Sequence, residues 1–388
     1  MKLFRAVLPF IFLSFTFLSC TEKAKETTSS LEYTKESSKE LVRYAKGFSL
    51  EKNNGFTILK ISNPWPDSDR EFTYALVPKK NLATITLPSD AYDAIIPVPI
   101  HDLVVTSTTH IPALESLTSL ERLKGFPDTK YISSNKARSF IEQGKIKELG
   151  RNESLNTELV LEMRPDLVVG FAIDNQNPVY QTLENAKIPV VYNGDWTEHT
   201  PLGKAEWIKF FGALLGKEKE ASEIFDQIET SYLEIKNIAK KASSSPTVLS
   251  GALYKDVWYL PAGESWASQF LRDANANYLW SDSKGTGSLS LGLEAVLEKG
   301  QNADIWISPS QFTAYSAMQD ASPHYSRFKA YKNHTIFSFA STKGATGGLL
   351  YYELAPQRPD LVLKDLVAIF HPDLLPNYEP HFFKPLQR

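Results

Sequence analysis

Aromatic side chains directly after predicted strands could bind a flat or apolar solute. Trp196 lies in the loop Asn193-Gly-Asp-Trp-Thr-Glu-His199, which follows the β-branched run Val190-Val-Tyr192. An indole at this position can stack on a planar macrocycle or an aromatic chelator and donate one hydrogen bond. The alternative role of Trp196 is to cover a neighbouring helix, and the sequence favours neither role.

A second aromatic group follows the run Thr247-Val-Leu-Ser250. It comprises Tyr254, Trp258 and Tyr259, and these side chains are further candidates for contact with a solute. Strand alternation puts Trp258 and Leu260 on one face, so one of those two is predicted to be in the core.

His110 could contribute an imidazole at the end of a strand. It opens a predicted helix, Ile111 to Leu123, after the run Leu103-Val-Val-Thr-Ser107. Imidazole and phenolate both suit haem iron, and a helix start that follows a strand is a position in a cleft. The favoured alternative is a helix-capping or solvent-facing histidine.

Two polar loops follow predicted strands in the second half of the chain, Ser308-Pro-Ser-Gln-Phe312 and Lys343-Gly-Ala-Thr-Gly-Gly348. Gln311 in the first loop could contact a polar group of a solute. The glycine-rich loop has the spacing of neither a Walker loop nor a dinucleotide-binding turn, and it is interpreted as a flexible turn. Lys343 and Arg138 could pair with an anionic solute such as a ferric catecholate or a propionate.

Cys20, the only cysteine, ends a hydrophobic N-terminal run. The apolar core, Ala6 to Leu18, has the length of a signal peptide, and the sequence Phe-Leu-Ser-Cys that ends the run has the form of a lipobox. We therefore predict a signal peptide at residues 1–19, lipidation of Cys20 for membrane anchoring, and a flexible tether at residues 20–46. An ordinary secretory signal with an incidental cysteine is the alternative.

Motifs for catalysis or metal binding are not found in the sequence. It contains no Gly-x-Ser-x-Gly, no His-Glu-x-x-His and no cysteine after Cys20, and its seven histidines are scattered without a short-range pair. No resident metal or other cofactor is predicted. The chain is interpreted as a binding protein and not an enzyme, with a lipid-anchored hydrolase that uses Ser and His residues from cleft loops as the alternative.

Charge and cysteine content exclude some partners and some sources of stability. Removal of the signal takes Lys2 and Arg5 from the 42 basic residues, which leaves 40 against 45 acidic residues and a formal charge of −5. This balance gives no electrostatic reason to bind nucleic acid. A single cysteine allows no intramolecular disulfide, so a large core must stabilise the fold.

The elements that must position these residues follow an α/β pattern. Short β-branched runs alternate with helical stretches from residue 103 onward, which predicts mostly parallel sheets with helices on both faces. Before them, the runs Phe56–Ile61 and Phe72–Val77 predict a β-hairpin region at residues 55–87, packed on one lobe.

Two distant segments resemble each other, and this predicts two lobes of the same topology, at residues 47–203 and 243–388. Residues 154–170 and 290–308 each contain a predicted amphipathic helix, a turn and a buried strand. Chance similarity between α/β segments is the alternative. The matching acidic residues are Glu158 with Glu294, both in predicted first helical turns, and Asp166 with Asp304.

Residues 204–242 are predicted to be a helical linker between the lobes. The helical pattern is broken near Gly216. Lys217 to Lys241 as one helix would be about 37 Å long at 1.5 Å per residue, long enough to join two lobes rigidly.

The order of these segments resembles the substrate-binding proteins of ABC importers, and more narrowly the class that handles iron–siderophore complexes, haem and cobalamin. The resemblance covers roughly residues 102–375, and the order and spacing of its segments together are specific. The N-terminal hairpin region is outside the usual pattern. The segments that carry the resemblance are Val104–His110, Leu120–Phe126, Leu159–Gly170, Lys187–Tyr192, Gly263–Asn275 and Asp304–Ser308.

The resemblance implies a cleft between the lobes, at the carboxyl ends of the strands, that closes slightly on its solute. It implies a monomer in the periplasm, held to a membrane by its lipid anchor, that passes an iron complex or a corrinoid to an ABC permease. Family members dock to the permease through one acidic side chain on each lobe. The positions that align with those acids carry Asn175 to Asn177 and Gln269 here, so the nearby Glu115, Glu121 and Glu264 are the candidates, of which Glu121 and Glu264 are chosen.

Overall fold

In the computed structural model, the described residues are 41–88, 90–152, 154–174 and 177–388. The predicted signal peptide, Cys20 and the tether as far as residue 40 lie outside them. No helix among the described residues is long and apolar enough to cross a bilayer. The predicted architecture of two α/β lobes joined by a long helix is confirmed.

A four-stranded sheet precedes the first lobe. Its strands β1 (Phe48–Asn53), β2 (Phe56–Ser62) and β3 (Glu71–Pro78) are antiparallel neighbours, and β4 (Ala94–Val98) joins β3 in parallel. Tyr74 on β3 is buried in the core of the first lobe. The predicted hairpin of β2 and β3 is therefore present, within a larger sheet than the sequence predicts.

A parallel sheet flanked by helices forms the first lobe. Its elements, in chain order, are β5 (Leu103–Val105), α1 (His110–Ser116), β6 (Leu123–Phe126), α2 (Asn135–Glu142), β7 (Lys147–Glu148), β8 (Gly150–Arg151), β9 (Ser154–Leu155), α3 (Thr157–Met163), β10 (Leu167–Gly170), α4 (Pro178–Asn185) and β11 (Val190–Tyr192). The sheet has the order β11-β10-β5-β6-β7, and β8 pairs with β9 separately. Every residue of β10 is buried, which its continuous apolar run predicts.

The helix that begins at His110 is shorter than predicted. It ends after seven residues. The chain turns where Thr118 adopts a left-handed φ of 50°, and the N–H of Ser119 donates to the carbonyl of Leu114 at 2.8 Å. A left-handed residue with such a bond closes a helix, so the prediction of one helix as far as Leu123 is wrong.

Three helices connect the lobes, α5 (Pro201–Glu206), α6 (Ile208–Leu215) and α7 (Glu218–Ala239). The predicted break is confirmed at Gly216, which ends α6 with a left-handed φ of 68°. The 22-residue helix α7 buries one stripe of side chains along its length. The N-terminal part of that stripe, as far as Ile228, packs in the core of the first lobe, and the part from Tyr232 onward packs in the core of the second.

The second lobe repeats this arrangement. Its elements, in chain order, are β12 (Thr247–Ser250), β13 (Ala252–Tyr254), β14 (Val257–Pro261), α8 (Trp266–Asp273), β15 (Asn277–Tyr278), β16 (Ser288–Leu291), α9 (Leu293–Gly300), β17 (Ile305–Ile307), α10 (Tyr315–Ala321), α11 (Lys329–Lys332), β18 (Ile336–Ser338), α12 (Leu350–Leu354), α13 (Pro359–Phe370) and β19 (Lys384–Pro385). The main sheet has the order β15-β12-β17-β18-β19, parallel except for β19, and β13, β14 and β16 form a separate antiparallel sheet. Short 3₁₀ helices lie at Lys79–Asn81, Leu120–Arg122, Thr129–Tyr131, Asp195–Thr197, Pro323–Arg327 and Pro372–Leu374.

The end of the predicted tether, residues 41–46, is packed against the linker helices. The Glu206 carboxylate on α5 accepts hydrogen bonds from three successive backbone N–H groups, from Arg43 to Ala45, at 2.6 to 3.0 Å. Glu198 accepts the next two N–H groups at 2.8 Å. Residues 41–46 are therefore part of the folded unit, and the prediction that the flexible tether extends to residue 46 is wrong at this end.

Candidate ligand-binding cavity

A cavity of about 450 Å³ lies at the carboxyl ends of the strands in the second lobe. Ser250 at the end of β12, Ile307 at the end of β17 and Phe339 just after β18 all line it. Open parallel sheets place their ligand sites at this edge, because the loops that leave the strands there enclose a crevice. The sequence analysis predicts a solute at this end of the strands but in a cleft between the lobes, whereas every lining residue of this cavity belongs to the second lobe.

Aromatic rings make up much of the cavity wall. Phe339 stacks on Tyr351 with ring centroids 4.5 Å apart and an interplanar angle of 14°. Trp266 at the start of α8 lies 6.1 Å from the ring of Tyr351. Such a wall offers flat apolar area to a solute at low entropic cost, because aromatic side chains have few rotatable bonds. The remaining aromatic residues of the wall are Tyr254, Tyr259, Phe270, Tyr352 and Phe383.

A glycine permits the turn that separates β12 from β13 beside the cavity. Gly251 has a φ of 76°, and a Cβ placed on it would lie 1.8 Å from the carbonyl oxygen of Tyr259. No other residue fits this close approach of two strands. The turn carries Tyr254 and Tyr259 to the cavity mouth, where 67% and 43% of their surfaces are exposed.

Neutral side chains supply the polar groups of the lining. Ser250, Ser288, Ser308 and Ser310 line the cavity, and no described lining residue carries a charge. Burial raises the pKa of the buried Tyr351 phenol well above its usual value. Its hydroxyl is therefore neutral at physiological pH and can act as a hydrogen-bond donor.

The two lobes touch beside the cavity, and we call this the interlobe contact, formed by residues 130–134 of the first lobe and residues 344–353 of the second. The Glu353 carboxylate accepts the N–H groups of Ser133 at 2.5 Å and Ser134 at 2.9 Å. Glu353 follows Tyr351 and Tyr352 directly on α12. The helix that holds two cavity residues therefore also holds the lobes together.

Burial raises the pKa of Glu353 to about 7, and the charge of Glu115 adds to this rise, against the two backbone N–H groups that lower it. Glu353 is only 2% exposed, so water does little to stabilise its charge. Glu115 on α1 is near Glu353, since the hydroxyl of Ser134, whose N–H binds Glu353, donates to Glu115 at 2.7 Å. The charge of the interlobe contact therefore changes near neutral pH.

The glycine-rich loop between β18 and α12 is part of the interlobe contact. A Cβ on Gly344 would lie 2.6 Å from Ser133, and one on Gly348 would lie 2.2 Å from the carbonyl oxygen of Tyr131. The Thr346 hydroxyl donates to a carbonyl of the first lobe at 2.7 Å. The interpretation of this loop as a free flexible turn is wrong, because its glycines serve close backbone contact across the lobes.

A family model described as periplasmic binding protein matches residues 104–342 of the chain. The chain belongs to the periplasmic binding protein family. The match covers parts of both lobes and the helices between them, and it confirms the resemblance to substrate-binding proteins that the sequence analysis identifies.

This periplasmic binding protein is similar to known proteins in sequence and to solved structures in fold. An uncharacterised lipoprotein of Methanocaldococcus jannaschii is 28% identical over 299 residues, which cover 74% of this chain and 69% of the relative. A possible iron-binding protein of Staphylococcus epidermidis is 20% identical, with a TM-score of 0.55 over 71% of this chain and 100% of its own. A periplasmic haem-binding protein of Pseudomonas aeruginosa is 18% identical, with a TM-score of 0.55 over 74% of this chain and 99% of its own.

Of the solute contacts predicted for this binding protein, Tyr254 and Tyr259 line the cavity and Trp258 does not. Trp258 is fully buried and stacks on Trp306 with ring centroids 5.2 Å apart. Its indole N–H donates to the carbonyl of Ser250 at 3.0 Å. Trp258 thus supports the strand that ends at the cavity.

The predicted polar and cationic contacts lie outside the cavity lining. Gln311 and Lys343 are exposed, and Gln311 directly follows the lining residue Ser310. Arg138 on α2 donates to the carbonyl of Thr129 at 2.7 Å within the first lobe. Their role in solute binding stays a prediction.

His110 and Trp196 lie at the carboxyl ends of the strands in the first lobe. His110 is fully buried against Phe211, with ring centroids 5.4 Å apart, so it is not solvent-facing. Burial lowers its pKa to about 4, which keeps the imidazole neutral. Buried polar atoms without a hydrogen-bond partner in the described chain gather here, on both ring nitrogens of His110 and on the side chains of Asn193, Asp195 and Trp196.

The two predicted docking acids are both exposed. Glu121 lies in a 3₁₀ helix of the first lobe, and Glu264 precedes α8 in the second. The backbone N–H of Gly285 donates to Glu264 at 3.0 Å, and this bond together with Lys284 lowers the pKa of Glu264. Both carboxylates are available at the surface, and their role in docking stays a prediction.

Several cavity residues are not identified by the sequence analysis. Trp266 and Phe270 lie four residues apart on α8, and only Phe270 is fully buried. Tyr351 and Tyr352 follow a loop without a recognisable motif. The sequence feature that could have identified Tyr351 and Tyr352 is their position after a predicted strand of the second lobe. Among the described residues, no group of three or more His, Cys, Asp or Glu side chains is placed to hold a metal ion.

Proposed function

We propose that this chain is a lipid-anchored solute-binding protein that captures a ferric siderophore, haem or cobalamin and delivers it to an ABC permease. The observation that carries the proposal is the aromatic cavity at the carboxyl ends of the strands in the second lobe. Buried aromatic area gives affinity for large, partly apolar solutes, and a few polar groups orient them. The names of the haem-binding and possible iron-binding structural relatives support the same solute class.

The binding mechanism is reversible capture with a small closure of the lobes. Because α7 packs in both cores, it makes a stiff connection that favours a small change of angle. The interlobe contact on α12 adjoins the cavity residues Tyr351 and Tyr352. A solute that orders these two side chains therefore also stabilises the contact, which couples capture to closure.

The anchor is lipid on Cys20, at the periplasmic face of a membrane. The lipobox supports this, and the Methanocaldococcus relative is itself named a lipoprotein. Cells that make the full chain with Cys20→Ser should release it into the soluble fraction, and it should carry no labelled fatty acid. A membrane-bound and labelled variant would overturn the lipid assignment.

Solute binding is tested by titrating the anchor-free protein with cyanocobalamin, haemin and a panel of ferric siderophores. Trp266 lines the cavity and reports binding by quenching of its fluorescence, corrected for absorbance by the solute. We expect saturable quenching at micromolar concentration or below for one solute class, and loss of most of it in Trp266→Phe. No saturable response to any probe would overturn the proposal.

A matched pair of variants distinguishes the loss of a contact between cavity and solute from a general effect of a substitution on the protein. Tyr259→Ala should weaken binding at least about fivefold, since an aromatic contact contributes about 1 kcal/mol or more. Leu233→Ala removes a side chain of similar exposure on α7, outside the cavity lining, and should leave the affinity unchanged.

The hydrolase alternative has less support. The cavity contains four serines, but no histidine lines it among the described residues, so these serines lack the neighbouring base that a nucleophile needs. Mass spectrometry of the bound solute after release should return it unchanged. A cleaved product would favour the hydrolase.

Docking to the permease is assigned to Glu121 and Glu264. Reversal of both charges, in Glu121→Lys with Glu264→Lys, should abolish solute uptake by cells and leave solute affinity unchanged, because neither residue lines the cavity. Normal uptake by the double variant would overturn this assignment.

A further inference from the structure

The cavity lining points to the charge class of the solute, and this refinement rests on the proposed function. We infer that the solute presents an uncharged surface to the cavity, as a neutral ferric hydroxamate or a corrinoid does, and that polyanionic ferric catecholates are excluded.

No lining residue in the described chain carries a charge. A polyanion that enters such a cavity loses water and gains no cation in return, which is unfavourable for each charge left unpaired. A neutral chelate loses far less hydration, and it gains contact with the aromatic wall. The lining alone therefore discriminates between solutes by charge.

Two lysines of the described chain lie beside aromatic rings of the lining, and neither is itself a lining residue. The ammonium of Lys204 lies 5.1 Å from the ring centroid of Trp266, but it donates to the carbonyls of Asp195 at 2.9 Å and Trp196 at 3.0 Å. Burial lowers its pKa to about 8, so even its charge is only moderately stable. Lys255 lies 5.6 Å from the ring centroid of Tyr254, which is exposed at the mouth.

The cations that sequence analysis offers as partners for an anion are elsewhere. Arg138 binds a carbonyl in the first lobe, and Lys343 is exposed at the start of the glycine-rich loop. The polar side chains that do line the cavity are those of serine and tyrosine residues, with the indole of Trp266. Hydroxyl groups of serine and neutral tyrosine suit the carbonyl, amide and hydroxamate oxygens of an uncharged solute.

Affinities for three probes at two salt concentrations test the inference, with cyanocobalamin, a neutral ferric trihydroxamate and a ferric tris-catecholate. We expect one or both neutral probes to bind, with an affinity that changes less than about twofold between low and high salt, and no binding of the catecholate. Tight, salt-sensitive binding of the catecholate would overturn the inference and leave the proposed function standing. Failure of all three probes and of haemin would overturn both.

A charge added to the lining gives a second test. Ser288 on β16 is an exposed lining residue. If neutrality excludes the catecholate, Ser288→Lys should bind the catecholate several-fold more tightly than the control Ser288→Gln, which removes the same hydroxyl group but adds no charge. An unchanged catecholate affinity in Ser288→Lys would overturn the inference, because charge would not be what excludes it.

Discussion

Asp166 and Asp304 make the same hydrogen bonds in the two lobes. The Asp166 carboxylate accepts the N–H of His101 at 2.8 Å just before β5, and the Asp304 carboxylate accepts the N–H of Thr247 at 2.9 Å at the start of β12. Each aspartate also donates its own N–H to the neighbouring strand, to Asp102 at 2.8 Å and to Thr247 at 3.0 Å. The two residues therefore fasten equivalent pairs of parallel strands, as the similarity between the two sequence segments predicts.

Loss of the Asp304 charge should destabilise the second lobe in a pH-dependent way. Hydrogen bonds from Lys329 and Thr247 lower the pKa of Asp304 from 3.8 to about 2. A lowered pKa means that the stabilisation is complete above about pH 4 and is lost as the pH falls towards 2. Because the side chain is 43% exposed, water screens part of the effect. Asp304→Asn should therefore lower the free energy of unfolding by about 1 kcal/mol at pH 7.

Urea unfolding at pH 7 and at low pH measures this difference. Asp282→Asn is the matched control, since Asp282 is 82% exposed and lies 3.6 Å from its partner Lys299. A loss that is equal in the two variants, or that persists at low pH, would contradict the role of Asp304.

The interlobe contact should weaken as the pH rises through about 7. Because the pKa of Glu353 is raised, the closed contact holds a proton on this carboxyl group. The contact is therefore strongest below pH 4.5, the ordinary pKa of a glutamate, and it weakens as the carboxyl group ionises. The mature chain without Cys20 contains no cysteine, so spin labels at Lys136→Cys and Ala345→Cys report the lobe separation. We expect a wider distance distribution at pH 8 than at pH 5.5.

The variant Glu353→Gln should remove this pH dependence, because it cannot ionise. Its distance distribution should be the same at both pH values. A pH-dependent distance in Glu353→Gln would assign the effect to another group, of which Glu115 is the nearest candidate.

A side chain on Gly348 should hold the lobes apart. A Cβ at this position would lie 2.2 Å from the carbonyl oxygen of Tyr131, too close for any real contact. We expect Gly348→Val to release bound solute at least about tenfold faster in stopped-flow fluorescence, because about 1.4 kcal/mol of lost closure corresponds to that factor. Ala345→Val, at an exposed position of the same loop, is the control and should release solute at the normal rate.

Removal of the Glu206 charge should free the segment that precedes β1. Glu206 is fully buried, pairs with Lys209 at 2.7 Å and accepts three backbone N–H groups. Breaking a buried pair costs about 3 kcal/mol, so Glu206→Gln should lower the free energy of unfolding by about that amount. Glu223→Gln breaks an exposed pair with Lys219 and should cost about 0.3 kcal/mol. Equal losses in the two variants would contradict the role of Glu206.

Local sequence patterns predict the helices and strands of this fold well, but they do not predict contacts between residues that are far apart in the chain. The break at Gly216 and the places of Glu158 and Glu294 in first helical turns depend on a few neighbouring residues, and the structure has them as predicted. Glu353 and Ser133 are 220 residues apart, and no local pattern relates them. The same limit explains why Tyr351 and Tyr352 are missed as cavity residues.

Side-chain direction within correctly predicted strands is a second limit. Strand alternation places Trp258 and Leu260 on one face and predicts that one of them is in the core, and both are buried. Leu260 reaches the cavity lining and Trp258 does not. Which of the two faces a cavity depends on the stacking of Trp258 on Trp306, a partner from a distant strand.

The contacts of residues 41–46 with the linker helices determine which part of the fold would bear a pull from the lipid proposed on Cys20. Arg43 pairs with Asp226 and Glu229 on α7 at 2.7 and 2.5 Å, and Tyr44 contacts both cores. With the lipid proposed on Cys20, a pull that reaches residues 41–46 would act on the helices that connect the two lobes. It would not act directly on the residues that line the cavity, so the proposed anchor and the solute would not compete mechanically.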